Sequence, residues 1–247
     1  MLTDNDLKTS RDNTGMDYAT LVERTVYCQF PEISLDGRLE IVPDREMLQA
    51  VAHVFFFFGL AFRYPDQPLY REVKQHIGSF RDMYTEYAGR LPDMPGMTDL
   101  QNDFIQLFVN SKETVPAVPY ASYYLDNNLL MGLSYERLKN LMHASGYALH
   151  SAATEPQDHI SFLLELCSNL VHALIHPPAD DHPPDALFKL IVLTEEFMAP
   201  WIETWTFNIR SCAWTEFYAL TGLALNNVFK ARKTLFAHML NLEEQPS

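Results

Sequence analysis

The 247-residue chain reads as an all-α protein, with a single helical domain of about eight to ten helices over residues 44–247 and a non-helical N-terminal extension over residues 1–43. Three observations predict this. From Asp44 onward the punctuation consists of helix-capping residues and prolines. Apolar residues recur at three- and four-residue spacing, and after residue 44 no run alternates apolar and polar residues as a half-buried strand does.

Asp44 is placed to cap a first helix that runs to about Arg63 and stops near Tyr64, because Pro65 disfavours helical geometry in the residue before it. The apolar stretch VAHVFFFFGLAF, Val51 to Phe62, has 12 residues, too few to cross a bilayer of about 30 Å, and is expected to be a buried helix. Thr98 and Gln101 are spaced as a capping box ahead of a segment in which Leu100, Phe104, Leu107 and Phe108 share a face. Ser134 is expected to cap SYERLKNLMHAS, and Gly146 suits its left-handed exit. Thr154 and Gln157 form a second capping box, which puts Glu155, Pro156 and Asp158 in the first turn of a long apolar helix. The polar HPPADDHPP from His176 to Pro184 reads as a stiff linker. Pro184 and Pro200 mark further helix openings, and a last helix spans roughly Ala213 to Leu240, with the basic KARK run in its C-terminal half. Within the extension, ISLDGRLEIV from Ile33 to Val42 sets a D-G turn between two alternating runs, the pattern of a small hairpin that is marginal alone.

The balance of 18 Lys and Arg against 32 Asp and Glu gives a formal net charge of -14, which repels nucleic acid and anionic membrane surfaces and favours basic partners. Cys28, Cys167 and Cys212 are far apart and include no C-x-x-C pair, so neither a disulfide framework nor a zinc knuckle is signalled, and a reducing cytoplasm fits. The start MLTDNDLKTSRDN lacks the basic and apolar runs of a secretory signal, so export is not expected.

His172 and His176 stand one helical turn apart, the geometry of a two-histidine metal site, but no third ligand has a readable position and a helix C-terminus favours histidines anyway. No metal is expected. Asp158 beside His159 raises the question of a general base, yet neighbours on a helix point about 100° apart and no nucleophile motif accompanies them, so catalysis is not expected. Trp201 and Trp205, also one turn apart, read as core. The segment VPAVPYASYYLDNNLLMG, Val115 to Gly132, packs prolines and tyrosines into a rigid wall. Two readings of it stand: a cover that tucks over the core, or one side of a peptide groove.

The order DFIQLF, then PYASYY with LMG shortly after, then EPQDH at a later helix start, resembles the TorD/DmsD family of cytoplasmic redox-enzyme maturation chaperones. In that family an aromatic-and-leucine helix leads to a P-[YW]-x-S-x-Y loop, and an E-P-x-D-H motif follows. Pro119, Tyr120, Ser122 and Tyr124 match the loop, and Glu155, Pro156, Asp158 and His159 match the second motif. The likeness runs from about residue 46 through FFGLAFRYPDQPLY to PWIETW and FYALT and leaves residues 1–43 outside. It implies a TorD-like all-α fold and a chaperone, not an enzyme, that binds the twin-arginine signal peptide and apo form of a molybdopterin-containing reductase until cofactor insertion, then releases it to the Tat pathway. Leu107 and Phe108 join the eight motif residues as the implied peptide-binding set. Members occur as monomers and domain-swapped dimers, and some are reported to bind guanine nucleotide. No phosphate loop is present here and no cofactor is expected, nor is nucleic acid or stable membrane insertion. The alternative is an acidic helical scaffold that recruits a basic protein without reading a leader.

Overall fold

The structure is a computed structural model and describes residues 25, 29, 44–112, 114–147, 155–176 and 183–239. Helical order begins where the capping residue places it. The Asp44 carboxylate accepts the backbone N–H groups of Glu46 and Met47 at 3.0 and 3.1 Å and opens α1 (Arg45–Ala61), which ends four residues before Pro65. Asp66 caps α2 (Gln67–His76) through Leu69 N–H. A 3-10 turn (Ile77–Phe80) leads into α3 (Arg81–Ala88), and Gly89 closes it at φ 84°. Then come α4 (Met97–Phe104), continued by a π-helical stretch (Ile105–Val109), the short α5 (Ala121–Leu125), α6 (Leu133–Ala144) and α7 (Ile160–Ile175). The chain continues through α8 (Pro183–Val192), a second π-helical stretch (Leu193–Met198), α9 (Ala199–Cys212) and α10 (Glu216–Met239). No strand occurs among the described residues, and an isolated antiparallel bridge joins Tyr120 to His159.

The core forms where the apolar faces of α1 and α7 lie along one another. Phe55, Phe57, Phe58 and Phe62 are buried, and α7 buries most of its length from Ile160 to Ile175. At Gly59 an added Cβ would stand 3.1 Å from the Ser161 carbonyl oxygen, so the missing side chain lets the two backbones approach. Phe62, Phe104, Phe108, Trp205 and Tyr218 form an aromatic nest, with Phe62 and Trp205 edge to face at 4.9 Å and Phe104 and Phe108 at 5.0 Å. The face expected at Leu100, Phe104, Leu107 and Phe108 is buried as read, and so are Trp201 and Trp205. Gly146 is left-handed at φ 67°.

Several local expectations are corrected. Thr98 lies inside α4, whose cap is Gly96, and Gln101 instead donates Nε2–H to the Pro65 carbonyl at 2.9 Å. Ser134 lies in the first turn of α6, where its N–H and Oγ–H both reach the Asp126 carboxylate, so the acceptor that caps this helix comes from the preceding loop. Glu155, Pro156 and Asp158 precede α7, because the Asp158 carbonyl is taken by Ala121 N–H and the Ile160 N–H by the Pro119 carbonyl. Within the extension, buried Thr25 donates Oγ1–H to Glu196 Oε1 at 3.0 Å, which gives its hydroxyl a partner on the helical domain. The hairpin expected at 33–42, Thr154, and the linker residues 177–182 lie outside the described residues. Among the described residues no helix is long and apolar enough to cross a membrane.

Candidate functional site

The two sequence motifs meet at the Tyr120–His159 bridge. Ala121 N–H donates to the Asp158 carbonyl at 3.1 Å and Ile160 N–H to the Pro119 carbonyl at 2.8 Å, so one of the first-turn N–H groups of α7 finds its acceptor in the proline loop. Asp158 sends Oδ2 into the same junction and accepts Ser122 N–H at 2.9 Å, while its Oδ1 is buried without a protein partner. His159 caps α7 in place of the usual small polar residue. Its Nδ1 accepts Ser161 N–H at 3.2 Å and lies 2.7 Å from Ser161 Oγ. Burial first, and then the nearby Arg63 guanidinium, push the imidazole pKa down to about 3, which keeps Nδ1 free to accept.

The proline loop is fastened from below. Ala117 N–H donates to the Leu107 carbonyl at 3.0 Å, at the C-terminal end of the π-helical stretch where carbonyls lack intrahelical partners. Asn208 Nδ2 donates to the Pro116 carbonyl at 2.9 Å and Trp205 Nε1 to the Ala117 carbonyl at 3.1 Å. Pro116 and Pro119 have no N–H to satisfy, so a partly buried loop here needs fewer partners than one of ordinary residues. The choice of prolines is thereby explained: they allow a loop to lie against the core without orphaned donors.

Among the residues implied by the resemblance, Leu107, Phe108, Pro119, Ser122, Asp158 and His159 are buried and hold the junction from within. Tyr120, Tyr124 and Pro156 are half-buried, and Glu155 is exposed. Tyr120 donates its hydroxyl to Glu155 Oε2 at 2.5 Å and packs edge to face on His159 at 5.4 Å. Burial, followed by the Glu155 carboxylate as hydrogen-bond partner, raises the phenol pKa, so the hydroxyl stays a donor at neutral pH. Tyr124 stacks on Trp201 with centroids 4.9 Å apart and planes 8° apart. Asp158, part of the implied peptide-binding set, is closed to a basic partner, since the residue is 1% exposed, and the exposed carboxylate of the motif is Glu155.

Arg63 was not anticipated here. It forms an ion pair with Glu165 on α7 and lies over the Phe162 ring at 5.8 Å, beside His159. Its position follows α1 by two residues, so the α1–α7 contact brings it in, and no local spacing in the sequence signals that. Among the described residues no group of three or more His, Cys, Asp and Glu is placed to hold a metal ion, and the rings of His172 and His176 are 5.0 Å apart on an exposed helix end.

The family model described as nitrate reductase delta subunit matches residues 66–206, more than half of the chain. The chaperone protein TorD of Vibrio cholerae serotype O1 is 30% identical over 151 residues, 61% of this chain and 61% of that protein. The chaperone protein TorD of Vibrio vulnificus is 26% identical over 146 residues, 59% of this chain and 65% of that protein. The chain thus spans less than two thirds of these relatives' length. A solved chain from Archaeoglobus fulgidus, described as a candidate redox enzyme maturation protein, is similar with a TM-score of 0.47 and 21% identity over 79% of this chain and 99% of its own.

Proposed function

The chain belongs to the nitrate reductase delta subunit family, the TorD/DmsD family of redox-enzyme maturation chaperones, and from this premise we propose that it binds the twin-arginine signal peptide of a molybdopterin-containing oxidoreductase in the cytoplasm. It holds the apo enzyme until the cofactor is inserted and then allows Tat export. The family is one of maturation chaperones rather than of catalytic enzymes.

The observation that carries this reading is the union of the two motifs at one surface, with Glu155 exposed and Tyr120 bonded to it at 2.5 Å. Glu155 Oε1 takes no part in that bond, so the carboxylate can accept a leader guanidinium while Tyr120 presents an apolar ring beside it. An exposed ion pair is weak and screened by salt, so Glu155 sets direction and capture rate, and apolar contact supplies most of the affinity. Asp158, His159 and Ser122 act beneath this surface as positioning residues, because buried hydrogen bonds fix the angle at which Tyr120 emerges.

Titration of the full chain with a panel of synthetic twin-arginine leaders tests the reading. One tight, selective partner supports it. Uniformly weak, salt-sensitive binding to every basic peptide would instead identify an acidic scaffold without leader specificity.

A further inference from the structure

We propose that the turn between α5 and α6, residues 126–132, together with Leu133 at the start of α6, is an apolar docking tip that takes the hydrophobic run of the leader; the inference rests on the leader-binding reading above. Leu129, Leu130, Met131 and Leu133 are 61, 45, 58 and 56% exposed, four large apolar side chains in five positions. Scattered apolar residues on a surface are ordinary, but a contiguous run of them marks an interaction surface.

The backbone shows that this exposure is built in. All non-glycine residues with positive φ among those described lie in this turn: Asn127 at 54°, Asn128 at 66° and Met131 at 55°. Asparagine tolerates that region, whereas an unbranched apolar residue such as Met131 adopts it at a cost and keeps it only where its surroundings hold it. Two fastenings hold this one. Ser122 Oγ accepts Met131 N–H at 3.0 Å, and the Asp126 carboxylate accepts Ser134 N–H at 3.0 Å and Ser134 Oγ–H at 2.6 Å. Gly132 gives the Asp126 carboxylate its room, since a Cβ there would meet Oδ2 at 2.5 Å.

The fastening of the tip to the motif junction argues for the occupant: Met131 N–H bonds Ser122 Oγ, Ser122 N–H bonds the buried Asp158 carboxylate, and Asp158 lies three residues from exposed Glu155. A partner that meets both ends must carry basic residues near an apolar run, which is the composition of a twin-arginine leader. A second copy of this chain would bring another formal charge of -14 against the same surface, so charge disfavours self-association there.

The test pairs the full-length wild type with a Leu129→Ser, Met131→Ser variant, whose side chains are exposed enough that folding should not depend on them. Each is titrated calorimetrically with a twin-arginine leader and with the same leader carrying serines in its apolar run. The variant should bind the intact leader about tenfold or more weakly, and the difference should vanish with the serine leader. If the wild type binds the leader and the variant binds it equally well, the tip is not the apolar subsite, while leader binding itself stands. If the wild type binds no leader, the leader-binding reading falls and the inference with it. If the wild type is a dimer that the variant dissolves with leader affinity unchanged, the tip is a self-association surface and the inference is overturned.

Discussion

Replacing Asp158 with alanine removes the acceptor that holds Ser122 N–H at 2.9 Å in a site where both residues are almost fully buried. A buried donor left without a partner costs about 1–3 kcal/mol. The neighbouring backbone bonds, Ala121 N–H to the Asp158 carbonyl and Ile160 N–H to the Pro119 carbonyl, do not involve the side chain and persist, so the variant should fold. For a domain of this size the loss corresponds to a drop in Tm of about 2–12 °C, taking roughly 2–4 °C per kcal/mol. Asp158→Asn keeps an oxygen facing Ser122 N–H and should lose clearly less. Leader affinity should fall in the same order, because Ser122 in turn fixes Met131 and the Tyr120 segment. Thermal unfolding followed by circular dichroism, with leader titration alongside, measures both. An alanine variant that melts within about 1 °C of wild type would show that the Asp158–Ser122 bond contributes nothing and would refute the positioning role.

His159 gives a pH prediction: its pKa is held near 3 in the folded protein against 6.5 unfolded, so below about 6.5 the unfolded state gains a proton that the folded state refuses. Stability from this residue is complete above that pH and declines by up to about 1.4 kcal/mol per unit as pH falls toward 3. His159→Asn, which keeps a capping acceptor, should flatten this limb in urea titrations at pH 7, 6 and 5, and an unchanged slope would contradict the buried neutral imidazole. Gly59→Ala brings a Cβ to 3.1 Å from the Ser161 carbonyl and should cost about 1–3 kcal/mol of unfolding free energy by overpacking α1 on α7; a neutral result would mean that the two helices shift by the small distance the contact needs. Glu155→Gln should slow leader association and weaken binding about two- to fivefold at low salt, with the difference fading at high salt; equal rates at low salt would remove Glu155 from the site.

The helical plan was legible because its signals are local. Asp44, Gly146 and the Phe104–Phe108 face act through residues within a turn or two, and periodicity reads them directly. Caps failed where a distant partner outcompeted the local one. Asp126 reaches Ser134, and Pro65 takes the Gln101 side chain. The EPQDH segment looked like a helix start because its spacing suits one, yet a turn closed by His159 N–H on the Pro156 carbonyl and the bridge to Tyr120 keep it out of the helix until Ile160. Asp158 and Glu155 are equally acidic in sequence, and only the approach of α5 separates a buried anchor from an exposed carboxylate. The docking tip was visible as LLMG, but apolar residues in sequence are read as core by default. Their exposure accompanies a turn with positive φ at Asn127, Asn128 and Met131, which no spacing rule supplies.

Leader recognition is tested most directly by titrating the full chain with a twin-arginine leader from a molybdopterin-containing reductase and with the same leader carrying glutamines in place of the two arginines. Recognition through Glu155 and the apolar surface predicts saturable binding of the first leader, weaker binding of the second at low salt, and convergence of the two as salt rises. Equal affinity for both leaders at low salt, or no binding to any leader of a broad panel, would contradict it.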